Sequence, residues 1–428
     1  MNYMDNRFFI SIRKGVTFYY FGSGCIADYQ GESIAYLDDT DIFLVTLCDG
    51  GYTMAKCIEK MKIVSDETVT RGRIERLRRK GVLVIKEYPS NNSALFYGEK
   101  GLFYPKRLAI ELTSCCNYNC SFCYKDAKAF GKYISDDIVE NIVNIIDGKI
   151  NSITFTGGEP TLHPHIINYI EQFSKKTPYL TMITNGSQLY KFSRYASTLQ
   201  KVDTIQFSLY GRNDDEYEKM TGNRNGFTHL KKSIEFAKKN NIKVHLSLTL
   251  SNKTINHIDE FVEVAKTLGA EVFKIGFADN YGRGKNGYND EFVQKQKEAM
   301  KKIDNLRRIN KGQINIRDAY MAKLHGYQRD HDDLKKYVYR GALSCGAGSE
   351  DLVISSEGKI RPCHFLPENI FSIPSKNALY EHIHGDFHVD YLQKAIAQYI
   401  DMRKNDNYEL CRGLSDTDKL FINGDKRT

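Results

Sequence analysis

The 428-residue sequence contains no tryptophan. It has no apolar run approaching the roughly eighteen residues a membrane-spanning helix needs, and its start, MNYMDNRFFISIRKG, lacks the basic, apolar, small-residue order of a secretion signal. These two absences make a protein of the reducing cytoplasm the default expectation. The missing tryptophan, beside abundant Lys, Asn and Ile, fits an AT-rich coding sequence and says nothing about chemistry. A large charge imbalance is missing too. The 61 Lys and Arg against 53 Asp and Glu leave a net of +8, which permits an acidic partner and gives no reason to expect nucleic acid or a membrane.

Cysteine is what the chain does have. Ten of them in a reducing compartment are not a disulfide framework, so clustered ones point to metal or catalysis and scattered ones to packing. The length suits about two to three domains of roughly 100 to 200 residues each.

Three regions follow one another. Residues 1–90 open with β-rich runs (FFISIRKGVTFYYF, ESIAYL) and continue as three helices, DDTDIFLVTLCDG, YTMAKCIEKMK and DETVTRGRIERLRRKG, before a short run VLVI. The third helix keeps apolar residues at Val69, Ile74 and Leu77. Cys48 and Cys57 lie among apolar neighbours and read as core thiols. Residues 91–105 carry turn residues and little periodicity, as a linker would.

From 106 to 310 short β-branched runs alternate with amphipathic helices. The strand candidates are RLAIELT, SITFT, LTMIT, TIQFSLY, KVHLSLTL and EVFKIGF. The helix SDDIVENIVNIID places Ile138, Ile142, Val143 and Ile146 on one face behind a Ser135 cap. The alternation predicts an α/β fold, a parallel sheet closing into a partial (β/α)6 TIM-type barrel with its chemistry at the carboxyl ends of the strands. Residues 311–428 contain SCGAGSEDLVISSEGKIRPCHF, a hairpin about Glu357 and Gly358 flanked by Cys345 and Cys363, and a distant Cys411.

The segment ELTSCCNYNCSFCYKD, following the first barrel strand, holds Cys115, Cys116, Cys120 and Cys123. A loop spaced this way wraps three thiolates, Cys116, Cys120 and Cys123, around a compact inorganic centre. A zinc site would want a fourth Cys or His, and the nearest His is His163. A cubane held by three cysteines instead leaves one iron open. Structural zinc and a fortuitous cysteine-rich loop remain the plainer readings, and Cys115 is out of register, a bystander.

The CxxxCxxC spacing with Phe122 before the last Cys resembles the radical S-adenosylmethionine superfamily. Further elements in the matching order strengthen the resemblance: TFTGGEPTLHP with Gly157, Gly158, Glu159 and Pro160 ends the second strand, TNG with Thr184 and Asn185 ends the third, and FSLYG puts Ser208 in the fourth. The resemblance implies a 4Fe-4S cluster on Cys116, Cys120 and Cys123, and S-adenosylmethionine bound by the open iron and by Gly157, Gly158, Glu159, Pro160, Thr184, Asn185 and Ser208. It also implies a 5′-deoxyadenosyl radical as the reactive species.

The flanking regions resemble known modules as well. YLDDTDIFLVTLCDGGYTMAKCIEKM followed by IERLRRKGVLVI is similar to the PqqD-like winged-helix domain that binds leader peptides, with Arg76, Arg78, Arg79 and Lys80 suited to acidic leaders. A DNA-binding winged helix or a structural cap is the alternative. Cys345, Gly358 and Cys363 look like the start of a SPASM or twitch domain, which implies an auxiliary iron-sulfur cluster on Cys345, Cys363 and Cys411, or, if they are isolated, packing thiols. The domain order, with FADNYGRGKN and CGAGSEDLVISSEGKIRPC, resembles the maturases of sactipeptides. The resemblance implies a precursor peptide with a leader as substrate, thioether formation at an α-carbon, and an electron donor such as flavodoxin or ferredoxin. Other radical peptide modifications and a non-enzymatic leader-binding partner stay open. His163, Tyr124 and Arg283 lie near the expected mouth and read as ordinary loop residues before substrate contacts.

Overall fold

The computed structural model describes residues 7–22, 24–29, 32–278, 281–318, 351–361, 364 and 378–384. Two apolar cores divide them. One runs from Ile10 to Leu83, and the other, from Tyr104 onward, contains the parallel sheet and its helices.

The N-terminal unit comprises β1 (Phe9–Ile12), β2 (Val16–Phe21), β3 (Gly24–Tyr29), β4 (Glu32–Leu37), α1 (Asp39–Leu47), β5 (Asp49–Thr53), α2 (Met54–Met61), α3 (Glu67–Arg79) and β6 (Leu83–Lys86). Asp38 starts α1 by accepting from the Asp41 amide at 2.9 Å, as an acidic N-cap should. The three helices match the sequence reading, but β3 and β5 do not appear in it. β3 is buried on both faces, so it shows no alternation, and β5 (DGGYT) has the glycines of a helix stop. In α3, Ile74 and Leu77 enter the core while Val69 is 48% exposed.

The unit holds two sheets, ordered β5-β1-β6 and β4-β3-β2, the second continued by a further strand, Phe96–Tyr97. Strand β7 (Phe96–Tyr97) lies within the stretch read as a linker and pairs with β2, its Phe96 stacking on Phe18 at 5.0 Å. A short β pair with three aromatic contacts has no sequence periodicity to show it.

The basic run of α3 is engaged at home. Arg76 pairs with Asp41, Arg73 with Asp38 and Asp41 at 2.8 and 2.9 Å, and Arg78 and Arg79 with Glu75. Lys80 is not free either. Arginines already matched to carboxylates on the same unit are poor recruiters of an acidic leader, so this part of the sequence expectation changes.

The second unit is a parallel α/β sheet. Its elements are β8 (Arg107–Thr113), α4 (Asp136–Ile146), β9 (Ser152–Gly157), α5 (Ile166–Phe173), β10 (Tyr179–Thr184), α6 (Ala196–Leu199), β11 (Thr204–Leu209), α7 (Asp214–Thr221), α8 (Gly226–Lys239), β12 (Lys243–Leu250), α9 (Ile258–Thr267), β13 (Val272–Phe277), α10 (Asp290–Ile309) and β14 (Asn315–Asp318). All six strand candidates are strands. Ser135 caps α4, and Val139, Ile142 and Ile146 carry its buried face.

Strand β14 extends the sheet beyond β13, and β15 (Asp351–Ile354) adds parallel to β8, with β16 (Ile360–Arg361) folding back antiparallel. The hairpin read about Glu357 and Gly358 is present, Gly358 adopting φ 79°. After residue 310, Asn315–Asp318, Asp351–Ile354 and Ile360–Arg361 therefore extend the barrel sheet, while Ala378–His384 forms a helix. Cys345, Cys363 and Cys411 lie outside the described residues.

In the six strands β8 to β13, residues of one parity enter the apolar core and the other parity faces the concave side, as period-two geometry requires. Leu108, Ile110 and Leu112 of β8 and Ile205, Phe207 and Leu209 of β11 are core. The loops after the strands then meet at one end.

Candidate active site

The loop from Ser114 to Tyr133 is held along its length. Near its base Ser114 N donates to Lys132 O at 2.9 Å and Cys116 N to Lys128 O at 2.7 Å. Further out, Asn119 N and Ser121 N donate to Thr221 O and Met220 O, at the end of α7. Across the top, Arg283 N donates to Cys123 O at 2.9 Å. Cys116, Cys120 and Cys123 therefore sit on a loop fixed by three other segments.

Gly157 and Gly158 explain one of those segments. A Cβ on Gly157 (φ 138°) would overlap Thr113 O, and one on Gly158 would overlap Cys115 O. The glycines let the end of β9 lie directly on the cysteine loop, where Gly158 N donates to Thr113 O at 2.7 Å and Glu159 N to Cys115 O at 2.8 Å. Among the described residues, their close approach is to the chain's own backbone.

Glu159 is fully buried. Its Oε1 accepts from Thr161 N at 3.1 Å, Thr161 Oγ1 at 2.6 Å and Thr184 Oγ1 at 2.6 Å, and its Oε2 accepts from Asn185 N at 2.7 Å. Burial pushes its pKa up, against the pull of these four donors. Thr184 spends its hydroxyl here and on Gly186 N at 3.1 Å. Glu159 and Thr184 thus tie the loops after β9 and β10 together.

Asn185 reaches the triad. Its Nδ2 donates to Asn117 Oδ1 at 2.9 Å and points at Cys116 Sγ at 3.9 Å, while its Oδ1 accepts from Ser187 N at 2.9 Å. Asn117 in turn donates to Ser187 Oγ at 2.9 Å. Cys116 Sγ also accepts from Tyr118 N at 3.4 Å. Pro160 starts a short 3-10 turn and is buried. Ser208, in β11, presents its carbonyl to Tyr217 Oη at 3.1 Å, and the Tyr210 hydroxyl lies between the Ser208 and Cys120 side chains.

An aromatic wall backs Cys120: Tyr210 meets Phe122 at 5.6 Å, Tyr217 at 5.8 Å and Tyr118 at 6.2 Å between ring centres. Arg283 clamps the loop, its Nε donating to Cys120 O at 2.7 Å and its Nη1 to Asp126 at 2.7 Å and Ala127 O at 3.0 Å. Asn117 and Tyr210 lie inside the quoted ELTSCCNYNCSFCYKD and FSLYG segments without being singled out, and Arg283, expected near the mouth as an ordinary loop residue, is a clamp on the triad loop. Only the Arg and Gly of NYGRGKN offered a signal, since a Cβ on Gly282 (φ 53°) would overlap Cys123 O.

Cys115 is buried with its thiol beside the Tyr133 hydroxyl, off the triad as its register suggested. His163 is buried and satisfied, its Nε2 on Ile134 O at 3.2 Å and its Nδ1 accepting from His165 N at 3.1 Å. It is a structural residue. Tyr124 stands edge-on to His364 at 6.4 Å.

A buried charge cluster that sequence reasoning missed ties the end of β8, before the triad, to Lys125, just after it. Glu111 pairs with Lys125 and Arg361 and faces His364 at 3.3 Å. Burial would raise the Glu111 pKa, but Lys125, His364 and Arg361 hold it well below the usual carboxylate range.

The donor set fits a cluster better than a single ion. Cys116, Cys120 and Cys123 ride one anchored loop, and each cysteine of a cubane binds a different iron. Burial pushes the Cys116 thiol up to about 11 and raises Cys120 further, so these sulfurs become thiolates only against a strong positive centre. Two buried polar atoms beside them, Tyr118 Oη and Arg283 Nη2, have no partner among the described residues. An anionic cluster would meet that demand.

Comparison with known proteins agrees. Residues 110–265 match the profile of the Radical SAM superfamily. The antilisterial bacteriocin subtilosin biosynthesis protein AlbA of Bacillus subtilis (strain 168) is 23% identical over 357 residues, covering 80% of this chain and 76% of AlbA. Probable GTP 3',8-cyclase of Saccharolobus islandicus is 26% identical over 274 residues, covering 62% of this chain and 85% of the cyclase. Among solved structures, Streptococcus suis SuiB bound to S-adenosylmethionine superposes with a TM-score of 0.61 at 18% identity over 90% of each chain. SuiB has also been solved bound to precursor peptide SuiA, with the same TM-score at 17% identity and 90% coverage of each chain. At these identities the structural matches speak for the fold.

Proposed function

From a chain that carries a radical SAM domain over residues 110–265, we propose a maturase that joins a cysteine of a ribosomally made precursor peptide to an α-carbon of the same peptide. The observation that carries this reading is the anchored triad loop, in a chain similar over most of its length to a bacteriocin biosynthesis protein. When bound, a 4Fe-4S cluster on Cys116, Cys120 and Cys123 supplies an open iron for S-adenosylmethionine and the electron that cleaves it to a 5′-deoxyadenosyl radical.

The protein's part is positioning. Glu159 and Thr184 lock the second and third loops, Asn185 directs its amide at Cys116, and Gly157 and Gly158 press the second loop onto the first. On this reading Pro160, Ser208 and Tyr210 face the nucleoside side. The N-terminal unit docks the leader and so raises the local concentration of the core peptide. Cys345, Cys363 and Cys411 would hold an auxiliary cluster, which would offer an acceptor for the surplus electron, and a flavodoxin or ferredoxin would supply the reducing one. Among the described residues no helix is long and apolar enough to cross a membrane, and the proposed setting is cytoplasmic.

Thioether formation removes one hydrogen from the α-carbon and one from the peptide thiol. The test is anaerobic incubation of the reconstituted protein with S-adenosylmethionine, a reductant and a cysteine-bearing precursor. Deoxyadenosine together with a peptide lighter by two hydrogens and resistant to thiol alkylation supports the reading. Deoxyadenosine with an unchanged peptide mass overturns it.

A further inference from the structure

The site above uses the rim of the sheet and leaves its concave face unassigned. In β13, Phe273, Ile275 and Phe277 enter the apolar core, so Lys274 faces the concave side. By the same alternation Ser208, Ser247 and Arg317 share that face, flanked by core residues Phe207 and Leu209, Leu246 and Leu248, and Ile316. Strand register sets them side by side, Ser208 next to Ser247, Ser247 next to Lys274, and Lys274 next to Arg317. At about 4.8 Å per strand, Lys274 stands about 10 Å from Ser208.

The charges of this face do not balance. Its strand-borne carboxylates among the described residues, Glu111 and Asp351, are taken by Lys125 and Arg361 and by Arg107. Lys274 has no ion-pair or hydrogen-bond partner among the described residues, and Arg317 meets the amide oxygen of Asn315. Lys274 is largely removed from solvent, and burial together with Arg317 and Arg107 pushes its pKa down. The neighbouring His245, pushed down to about 4 by burial and then by Lys274 and Arg317, is neutral near pH 7 and adds no charge. A desolvated ammonium beside a guanidinium is costly without an anion.

We propose that Lys274 and Arg317 form a carboxylate-binding subsite for the peptide substrate, holding an acidic side chain or a peptide C-terminus in the concave face beside the row that begins at Ser208. The fork of Arg317 suits a bidentate carboxylate, and Lys274 supplies the point charge. Such a contact would fix how deeply the core peptide enters and so which residue meets the radical. This inference rests on the peptide reading of the same site.

The test uses the full-length, reconstituted protein and three synthetic pentapeptides: acetyl-Ala-Ser-Glu-Ser-Ala-amide, its Gln counterpart, and the Gln counterpart with a free C-terminus. Calorimetry should show at least one carboxylate peptide binding about tenfold tighter than the neutral amide, as a charge-assisted contact warrants. Whichever of the two gains identifies the source of the carboxylate. That preference should vanish in Lys274→Met and shrink in Arg317→Gln, a change at an exposed position that keeps the test usable if the Lys274 variant does not fold. Equal binding of all three peptides by wild type, or a preference surviving in both variants, overturns the subsite. A precursor matured with unchanged KM by Lys274→Met would sink the subsite and leave the maturase standing. Loss of the carboxylate preference in Lys274→Met, with no precursor changed by wild type, would do the reverse.

Discussion

Cys25, Cys48 and Cys57 of the N-terminal unit and Cys116, Cys120 and Cys123 of the barrel are the same residue type in two kinds of surroundings. The first three are fully buried in an apolar core. Cys57 Sγ lies 3.5 Å from Leu47 O, and Cys48 is pushed up first by its hydrogen bond to Cys57 and then by burial. Cys116 and Cys120 are raised by burial as well. Burial alone is a weak separator of a packing thiol from a ligand thiol, since Cys120 is buried like the N-terminal three while Cys116 and Cys123 are partly buried. What separates them is the backbone: the barrel cysteines ride one loop tied down by the end of β9, the end of α7 and the loop after β13, with the Asn185 amide and the Arg283 guanidinium turned toward them.

The sharpest way to break that comparison is to exchange the two sets. Replacing Cys116, Cys120 and Cys123 together by Ala should abolish deoxyadenosine formation, while Cys48→Ala with Cys57→Ala should leave the turnover of the folded protein unchanged. Chromatographic assay of deoxyadenosine decides, and equal loss in both would erase the distinction.

Glu111 comes next. Glu111→Gln strands Lys125 and Arg361 without their carboxylate, a loss of about 3 to 5 kcal/mol measurable by urea unfolding. The folded pKa of Glu111 is depressed, so its stabilisation is present above the ordinary glutamate value and fades as pH falls below it. The gap between wild type and variant should therefore narrow on acidification, and a gap that widened would contradict the ion-pair account.

Arg283→Lys keeps the charge but loses the fork that spans Cys120 O, Asp126 and Ala127 O. A cost of about 1 to 2 kcal/mol is expected, with faster loss of iron to a chelator than in wild type. Unchanged chelation kinetics would demote Arg283 to a surface contact. The smallest effect belongs to Cys48→Ala alone, about 1 kcal/mol of lost packing in thermal unfolding, with iron content untouched.

Much of this site is legible in the chain because its parts are local. The spacing of Cys116, Cys120 and Cys123, the Gly157-Gly158-Glu159-Pro160 element and the six strand runs each lie within a few residues. Ser135 announces α4 for the same reason. The rest depends on which distant segments meet. Nothing near Arg283 says that it will grip the Cys120 carbonyl 163 residues away, and nothing near Glu111 foretells Arg361, 250 residues on. Glu159 shows the same limit from the other side: the motif points to the residue, but only the fold reveals that Thr161, Thr184 and Asn185 already surround it. Arg76, Arg78 and Arg79 look like a free basic face until Asp41 and Glu75 are seen opposite them.

The account stands or falls on a three-cysteine cluster with an open iron. Anaerobic iron and sulfide quantitation with electron paramagnetic resonance, on wild type and on the Cys116, Cys120 and Cys123 triple Ala variant, with and without S-adenosylmethionine, tests it directly. The account predicts that the variant loses about four irons per chain and that S-adenosylmethionine reshapes a wild-type signal that the variant lacks. A variant that keeps its full iron, or a wild-type signal indifferent to S-adenosylmethionine, would contradict it.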